Sequence, residues 1–135
     1  MEEKKKRKLI VAIDFDGTIT KKSRFPDIGP LQHGARDTIN YMHDILNIEI
    51  IIWTCRTDKN GTSLTDAVNF LKEKDIHFDL VNENSESVKS YRNDDCRKVY
   101  SDYIIDDRAF LFEKIDWEKL KEFFIQKKAA RKDLL

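Results

Sequence analysis

The sequence contains little cysteine, glycine or proline, and no long apolar run. Two cysteines, Cys55 and Cys96, stand in 135 residues without a CxxC pattern. This disfavours a disulfide scaffold and a cysteine zinc site, and it makes a reducing cytosol the expected compartment. Four Gly and two Pro provide no flexible linker, so we predict a single domain over residues 1–135. No apolar stretch approaches the roughly 18–20 residues that span a bilayer, so no membrane partner is expected.

The chain also lacks net charge. Its 25 Lys and Arg residues balance 25 Asp and Glu residues, so overall charge does not steer it toward nucleic acid or an anionic membrane. Positive charge is concentrated only locally, in the arm formed by residues 1–8 and in the run Lys21–Arg24. We interpret the arm as solvated, with a nucleic-acid contact as the alternative.

Short apolar runs predict the strands of a sheet. Leu9–Ile13, Ile48–Trp53 and Tyr103–Ile105 are rich in β-branched or aromatic residues. The first and third are apolar throughout, which is typical of strands that a parallel sheet buries on both faces. His77–Val81 is a weaker fourth candidate.

Helical patterns lie between and after these runs. Apolar residues recur at helical spacing over residues 35–46, 64–71 and 116–124, and we predict a helix over each range. Ser63 and Asp66 have the spacing of an N-terminal capping pair for the second helix.

Strands that alternate with helices predict an α/β domain. We expect a three-layer, Rossmann-like architecture with a mostly parallel central sheet. The strand of Val11 should lie at the centre, flanked by those of Ile51 and Ile104. Ligands of such sheets bind beyond the carboxyl ends of the strands, so the residues that follow each strand are the candidates for chemistry.

Polar residues do follow the strands. Asp14–Thr18 comes after the first strand, with two carboxylates at i and i+2 on the same side and a glycine that permits a sharp turn. Thr54–Arg56 follows the second strand and Asp106–Arg108 the last, with Lys98 eight residues before Asp106. We expect these residues to converge at one edge of the sheet.

This set of side chains suits phosphoryl transfer. Clustered carboxylates repel one another unless a cation lies between them. Because they offer only oxygen ligands, Mg²⁺ is the expected cation. A carboxylate can attack phosphorus and form an aspartyl-phosphate. Hydroxyl, lysine and backbone N–H groups can cover the remaining phosphoryl oxygens.

The same residues resemble the motifs of haloacid dehalogenase superfamily phosphatases. Asp14–Thr18 matches the first motif at every position, Thr54 the second, Lys98 the third, and Asp106-Asp107 the two-acid form of the fourth. The motifs occur in the family's order, and the resemblance covers about residues 9–125. The run Ile105–Arg108 is similar to that of the small capless branch.

The resemblance implies a role for each matched residue. Asp14 would be the nucleophile and a Mg²⁺ ligand. Asp16 would bind Mg²⁺ through its backbone carbonyl, and its side chain would protonate the leaving group and then deprotonate water. Asp106 and Asp107 would complete the metal site, but which of them binds directly is left open. The substrate-binding set comprises Gly17, Thr18, Thr54, Cys55, Arg56 and Lys98. The gaps at residues 19–32 and 57–97 are too short for a cap domain, so an open site is expected.

Some assignments have alternatives. Lys89 is a rival to Lys98 as the phosphate-contacting lysine. Arg56 and Arg108 either contact substrate or pair with an Asp. Cys55 is interpreted as a small buried residue rather than a nucleophile. The histidines have no ligand spacing, and we interpret all of them as structural or solvated: His33, His43 and His77.

The predicted function is therefore a Mg²⁺-dependent phosphomonoester hydrolase that acts on a small phosphorylated metabolite, such as a nucleotide or sugar phosphate. One alternative is the same chemistry on a nucleic-acid end or a phosphoprotein. Another is a non-catalytic, receiver-like phosphoacceptor domain, although Val81–Glu83 offers no acceptor Asp after the third strand. Specificity is expected to lie in the loops Lys21–Leu31 and Glu83–Arg97, and the oligomeric state stays open.

Overall fold

The structure is a computed structural model that describes residues 7–92, 99–109 and 114–133. Its strands are β1 (Ile10–Ile13), β2 (Glu49–Ile52), β3 (Leu80–Val81) and β4 (Tyr103–Ile105). Its helices are α1 (Ala35–Asn40), α2 (Ser63–Glu73), α3 (Glu86–Arg92) and α4 (Trp117–Asp133). A wide helical turn, Tyr41–Ile45, continues α1.

The four strands form one parallel sheet in the order β3-β2-β1-β4. Val11 of β1 lies opposite Ile50 on one side and Tyr103 on the other. The predicted central position of β1 is thus confirmed, and the carboxyl ends of the three strands that carry the candidate residues lie side by side.

Helices cover both faces of the sheet. Val11 and Ile13 point into a core that includes residues of α1, α2 and α4. Ile10 and Ala12 point to the opposite face, where Val88 of α3 packs against them. The fold is therefore the predicted three-layer, Rossmann-like α/β arrangement, and β1 is apolar throughout because neither of its faces meets water.

Helix α3 and the start of α2 differ from the predictions. Glu86–Arg92, within the expected loop Glu83–Arg97, is helical. The amide groups of Leu64 and Thr65 donate to Oδ1 of Asp58, both at 3.0 Å. The Ser63–Asp66 capping pair is therefore wrong, because a carboxylate from the preceding loop satisfies the free N–H groups of α2. Helix α4 starts as expected, since the carboxylate of Asp116 accepts from the Lys119 amide.

The chain is anchored just before β1. The guanidinium of Arg7 donates to both oxygens of Asp102 at 2.8 Å, and Oδ2 of Asp102 also accepts from the Ile10 amide. Arg7 is thus not part of a solvated arm, and residues 1–6 lie outside the described residues. Within the ranges that the structure describes, no helix combines the length and apolar content needed to cross a membrane.

Candidate active site

The loop Phe15–Ile19 turns the chain at the carboxyl end of β1. The Asp14 amide donates to the Ile105 carbonyl at 2.9 Å, which fixes Asp14 beside the end of β4. Gly17 has φ 83°, and a Cβ on it would lie 2.6 Å from Oδ2 of Asp107. The left-handed backbone therefore favours glycine here, and any larger residue would also force the Asp107 side chain to move.

Three carboxylates meet at this edge of the sheet. One oxygen each of Asp14, Asp106 and Asp107 lies within 4.8 Å of the others. The Thr18 hydroxyl, which is buried, donates to Oδ2 of Asp14 at 3.0 Å and accepts from the Asp107 amide at 2.9 Å. The expected convergence of Asp14 and Asp106 is observed, and Thr18 holds the acids in place rather than facing outward.

The surroundings of Asp14 favour its uncharged form. Burial, together with the nearby carboxylates of Asp106 and Asp107, raises the pKa of Asp14 to about 7, while the hydrogen bond from Thr18 lowers it. Such a rise is expected where carboxylates are packed together without a counter-charge. A divalent cation at this position would remove the repulsion.

Asp16 is not part of the group of three acids and pairs with Arg56. Nε and Nη2 of Arg56 donate to the two oxygens of Asp16 at 2.7 Å each, while the Arg56 side chain is only 2 % exposed. Of the two roles left open for Arg56, the structure therefore shows pairing with an Asp.

Arg56 also forms hydrogen bonds to the loop that follows β1. Its guanidinium donates to the backbone carbonyls of Pro26 and Asp27 at 3.2 and 3.1 Å. The guanidinium carbon lies 5.5 Å from the ring centre of Phe15 and 5.2 Å from that of Phe25. This arginine thus joins Asp16 to the loop that was expected to select the substrate.

Thr54 stands beyond β2, next to a residue that the sequence did not indicate. Its amide donates to Oδ1 of Asn82 at 2.8 Å, and its hydroxyl oxygen accepts from the Arg56 amide at 3.1 Å. Asn82 follows β3 directly and has a left-handed φ of 55°. The only signal for Asn82 in the sequence was its position after a strand. That position was considered only because a receiver-like domain would need an acceptor Asp there. Cys55 is exposed, so its expected burial is wrong.

Of the two candidate lysines, the structure describes only Lys89. Lys98 lies outside the described residues. Its rival Lys89 lies on α3 and pairs with Glu83 and Glu86 at 3.2 and 3.0 Å. Nζ of Lys22 is 4.0 Å from Oδ2 of Asp107, with the lysine side chain 84 % exposed. The loop Lys21–Leu31 therefore brings positive charge to the edge of the acidic group.

Comparison with known proteins bears on the fold. No protein-family model and no curated protein matches the chain. A solved structure of a conserved protein coded by a locus from Bacteroides thetaiotaomicron is similar, with a TM-score of 0.75 and 26 % sequence identity. The match covers 90 % of this chain and 93 % of that one. The two proteins share the α/β fold over nearly the whole of both chains.

Proposed function

We propose that the protein is a Mg²⁺-dependent phosphomonoester hydrolase of the haloacid dehalogenase type. The observation that carries this proposal is the group of Asp14, Asp106 and Asp107, whose oxygens lie within 4.8 Å of one another at the carboxyl ends of β1 and β4. Three carboxylates suit a hard cation that takes oxygen ligands at about 2.0–2.1 Å and keeps several waters. Bound there, Mg²⁺ would offset the acidic charge and polarise the phosphoryl oxygens.

The first step would use Asp14 as the nucleophile. Its carboxylate oxygen attacks phosphorus, the bond from phosphorus to the ester oxygen breaks, and the leaving oxygen takes a proton from Asp16. In the second step water attacks the aspartyl-phosphate, Asp16 takes a proton from that water, and inorganic phosphate leaves Asp14. The Thr54 hydroxyl and the backbone amides of the loop Phe15–Ile19 would contact phosphoryl oxygens.

The contact between Asp16 and Arg56 is compatible with this chemistry. Both oxygens of Asp16 accept from Arg56, and each oxygen has a second lone pair that could carry a proton. The Asp16 side chain is 44 % exposed, so substrate could reach it. Arg56 would keep its hydrogen bonds to backbone carbonyls, so the loop would stay in place.

The substrate class we propose is a small phosphorylated metabolite at an open site. The experiment assays the full chain, with Mg²⁺ and with EDTA, on nucleotides, sugar phosphates, 5′- and 3′-phosphorylated oligonucleotides and a phosphopeptide. We expect Mg²⁺-dependent release of phosphate, with the highest kcat/KM on a metabolite. A higher kcat/KM on an oligonucleotide or phosphopeptide would move the assignment to a macromolecular substrate.

The nucleophile is tested by Asp14→Asn. An amide cannot form the acyl-phosphate, so turnover should be abolished, while Asp37→Asn, on the exposed surface of α1, should match the parent. Near-parental activity of Asp14→Asn, or activity that is unchanged by EDTA, would refute the proposal. A chain that accumulates phosphate on Asp14 without turnover would instead be a phosphoacceptor domain.

A further inference from the structure

A second polar cluster lies at the end of the sheet opposite to the candidate active site. His43 and Asp44 belong to the wide turn Tyr41–Ile45 before β2, and His77 lies three residues before β3. Because the strands are parallel, these residues lie near the strands' amino ends, whereas Asp14 follows the carboxyl end of β1. The cluster is therefore separate from the candidate active site.

The two histidines share one carboxylate. Nδ1 of His43 lies 2.8 Å from Oδ1 of Asp44, and Nδ1 of His77 lies 3.0 Å from the same oxygen and 2.8 Å from Oδ2. One donor atom of each of the three residues is within 4.8 Å of the others. Two imidazole nitrogens and a carboxylate thus converge on one small volume.

The opposite nitrogen of each ring also faces a carboxylate. Nε2 of His43 is 3.1 Å from Oδ1 of Asp79, and Nε2 of His77 is 3.2 Å from Oδ1 of Asp75. The other oxygen of Asp79 accepts from the Ile50 amide of β2 at 2.8 Å, which fixes this carboxylate. Since a carboxylate only accepts, Asp79 and Asp75 can each accept the ring hydrogen from an Nε2 when that nitrogen carries it.

The tautomer with its hydrogen on Nε2 is the one that can bind a metal through Nδ1. In that tautomer Nε2 donates to the carboxylate behind it, and the Nδ1 lone pairs of both histidines point at the oxygens of Asp44. A cation held by the three groups would replace the hydrogen bonds from Nδ1 to Asp44 by coordination.

We propose that His43, Asp44 and His77 bind a divalent transition-metal ion of the Zn²⁺ class. Imidazole ligands favour such ions over Mg²⁺ or Ca²⁺. A carboxylate that accepts from the second nitrogen of a metal-bound histidine is the usual outer partner in zinc sites, and Asp79 and Asp75 occupy that place. Three protein ligands leave a fourth position for water or a ligand oxygen.

The cluster fits such an ion with little movement. Ligands at about 2.0–2.1 Å in tetrahedral geometry are about 3.3 Å apart, whereas the contacts to Asp44 are 2.8–3.0 Å. Asp44 is 44 % exposed and can shift by the difference. The backbone around His77 is held more firmly than the Asp44 side chain, because Asn40 accepts from the His77 amide and donates to the Asp75 carbonyl, both at 2.8 Å.

The test is a calorimetric titration of the metal-free full chain with ZnCl₂, in excess Mg²⁺ so that the acidic site is occupied. We expect one Zn²⁺ per chain. His43→Ala and His77→Ala should each weaken the affinity about 100-fold or more, and Asp79→Asn about 10-fold. His33→Ala, which removes an exposed histidine elsewhere, and Asp106→Asn should leave the affinity unchanged.

Ring NMR signals provide a second readout that does not depend on hydrolysis. Zn²⁺ should shift the signals of His43 and His77 but not that of His33. If an alanine variant fails to fold, Asp44→Asn replaces it, because the amide preserves shape and supplies a donor while removing the charge. No stoichiometric binding, an affinity equal to the parent's in the His43 and His77 variants, or loss of binding in Asp106→Asn would each overturn the proposal. Because Zn²⁺ affinity is measured directly, its failure is distinguishable from failure of the proposed hydrolase.

Discussion

At the scale of one residue, the position of Arg56 after a strand was not enough to predict its role. The sequence placed it beside Thr54 and left two roles open, contact with substrate or pairing with an Asp. Neither the spacing nor the local pattern could choose, because Asp16 lies 40 residues earlier in the chain. Only the parallel pairing of β1 and β2 brings the two side chains together.

Replacing Arg56 by Lys should destabilise the protein. The ammonium group cannot occupy both oxygens of Asp16 and also satisfy the carbonyls of Pro26 and Asp27, because it lacks the planar fork of donors. We expect the free energy of unfolding to fall by about 2 kcal/mol, the cost of leaving a buried, hydrogen-bonded charge without several partners. Urea denaturation monitored by circular dichroism measures this.

Arg108→Lys is the matched control for that measurement. Arg108 also follows a strand but is exposed, so its substitution should change the free energy of unfolding by less than about 0.5 kcal/mol. Equal effects of the two substitutions would show that the Arg56 hydrogen bonds do not stabilise the loop.

At the scale of the element, apolar content decided which strands could be predicted. β1 and β4 were located closely because their runs are apolar throughout. β3 is reduced to Leu80–Val81, and its run His77–Val81 was the weaker candidate because it contains a histidine and an aspartate. Helix α3 had no visible pattern, because within it Val88 alone is a buried apolar residue. Its charged and polar neighbours resemble a loop.

The start of α2 could not be assigned from helix residues alone. The group that accepts its free amides is Asp58, which lies five residues before Ser63. A search for capping residues at the helix boundary finds Ser63 and Asp66 instead, because both have the right type and spacing. The hydroxyl of Ser63 in fact donates to the Thr57 carbonyl at 2.8 Å.

Asp102 joins the amino ends of β1 and β4, and this contact should depend on pH. Burial alone would raise the pKa of Asp102, but hydrogen bonds from Arg7 and the Ile10 amide hold it below the ordinary value of 3.8. A lowered pKa in the folded state means that the stabilisation is complete above pH 3.8 and is lost as the pH falls through the folded-state value.

Asp102→Asn should therefore lower the free energy of unfolding by about 1 kcal/mol near pH 7, since the pair with Arg7 is only partly shielded from solvent. The difference from the parent should shrink below pH 3.8, where the parent carboxyl also loses its charge. Thermal denaturation over pH 2.5–7 measures this, with the exposed Asp37→Asn as the control. A difference that is independent of pH would assign the effect to packing instead of charge.

At the scale of the whole molecule, only contacts between residues that directly follow neighbouring strands could be predicted. Asp14 and Asp106 could be paired in advance because each directly follows a strand, and parallel strands present their carboxyl ends together. His43 and His77 follow no such rule. They are 34 residues apart, in a wide turn and a loop, and only the packing of α1 and α2 onto one face of the sheet brings them together.

The distribution of charge over the molecule predicts how an anionic substrate reaches the acids. With a net charge of zero, any attraction must be local, and Nζ of Lys22 lies 4.0 Å from Asp107. Replacing the loop residues Lys21, Lys22 and Arg24 together by Ser should raise KM for the phosphorylated substrate about 10-fold at low salt, with kcat nearly unchanged. The effect should decrease as the ionic strength rises past about 0.1 M, where the Debye length is about 10 Å.

A second triple variant separates local attraction from overall charge. Replacing Lys72, Lys74 and Lys127 by Ser removes the same charge from exposed positions on α4 and at the end of α2. Its KM should equal that of the parent at every salt concentration. Equal KM values in the two triple variants would show that the loop does not attract the substrate. An increase in KM that persists at high salt would instead indicate direct, salt-insensitive contacts between this loop and the bound phosphate ester.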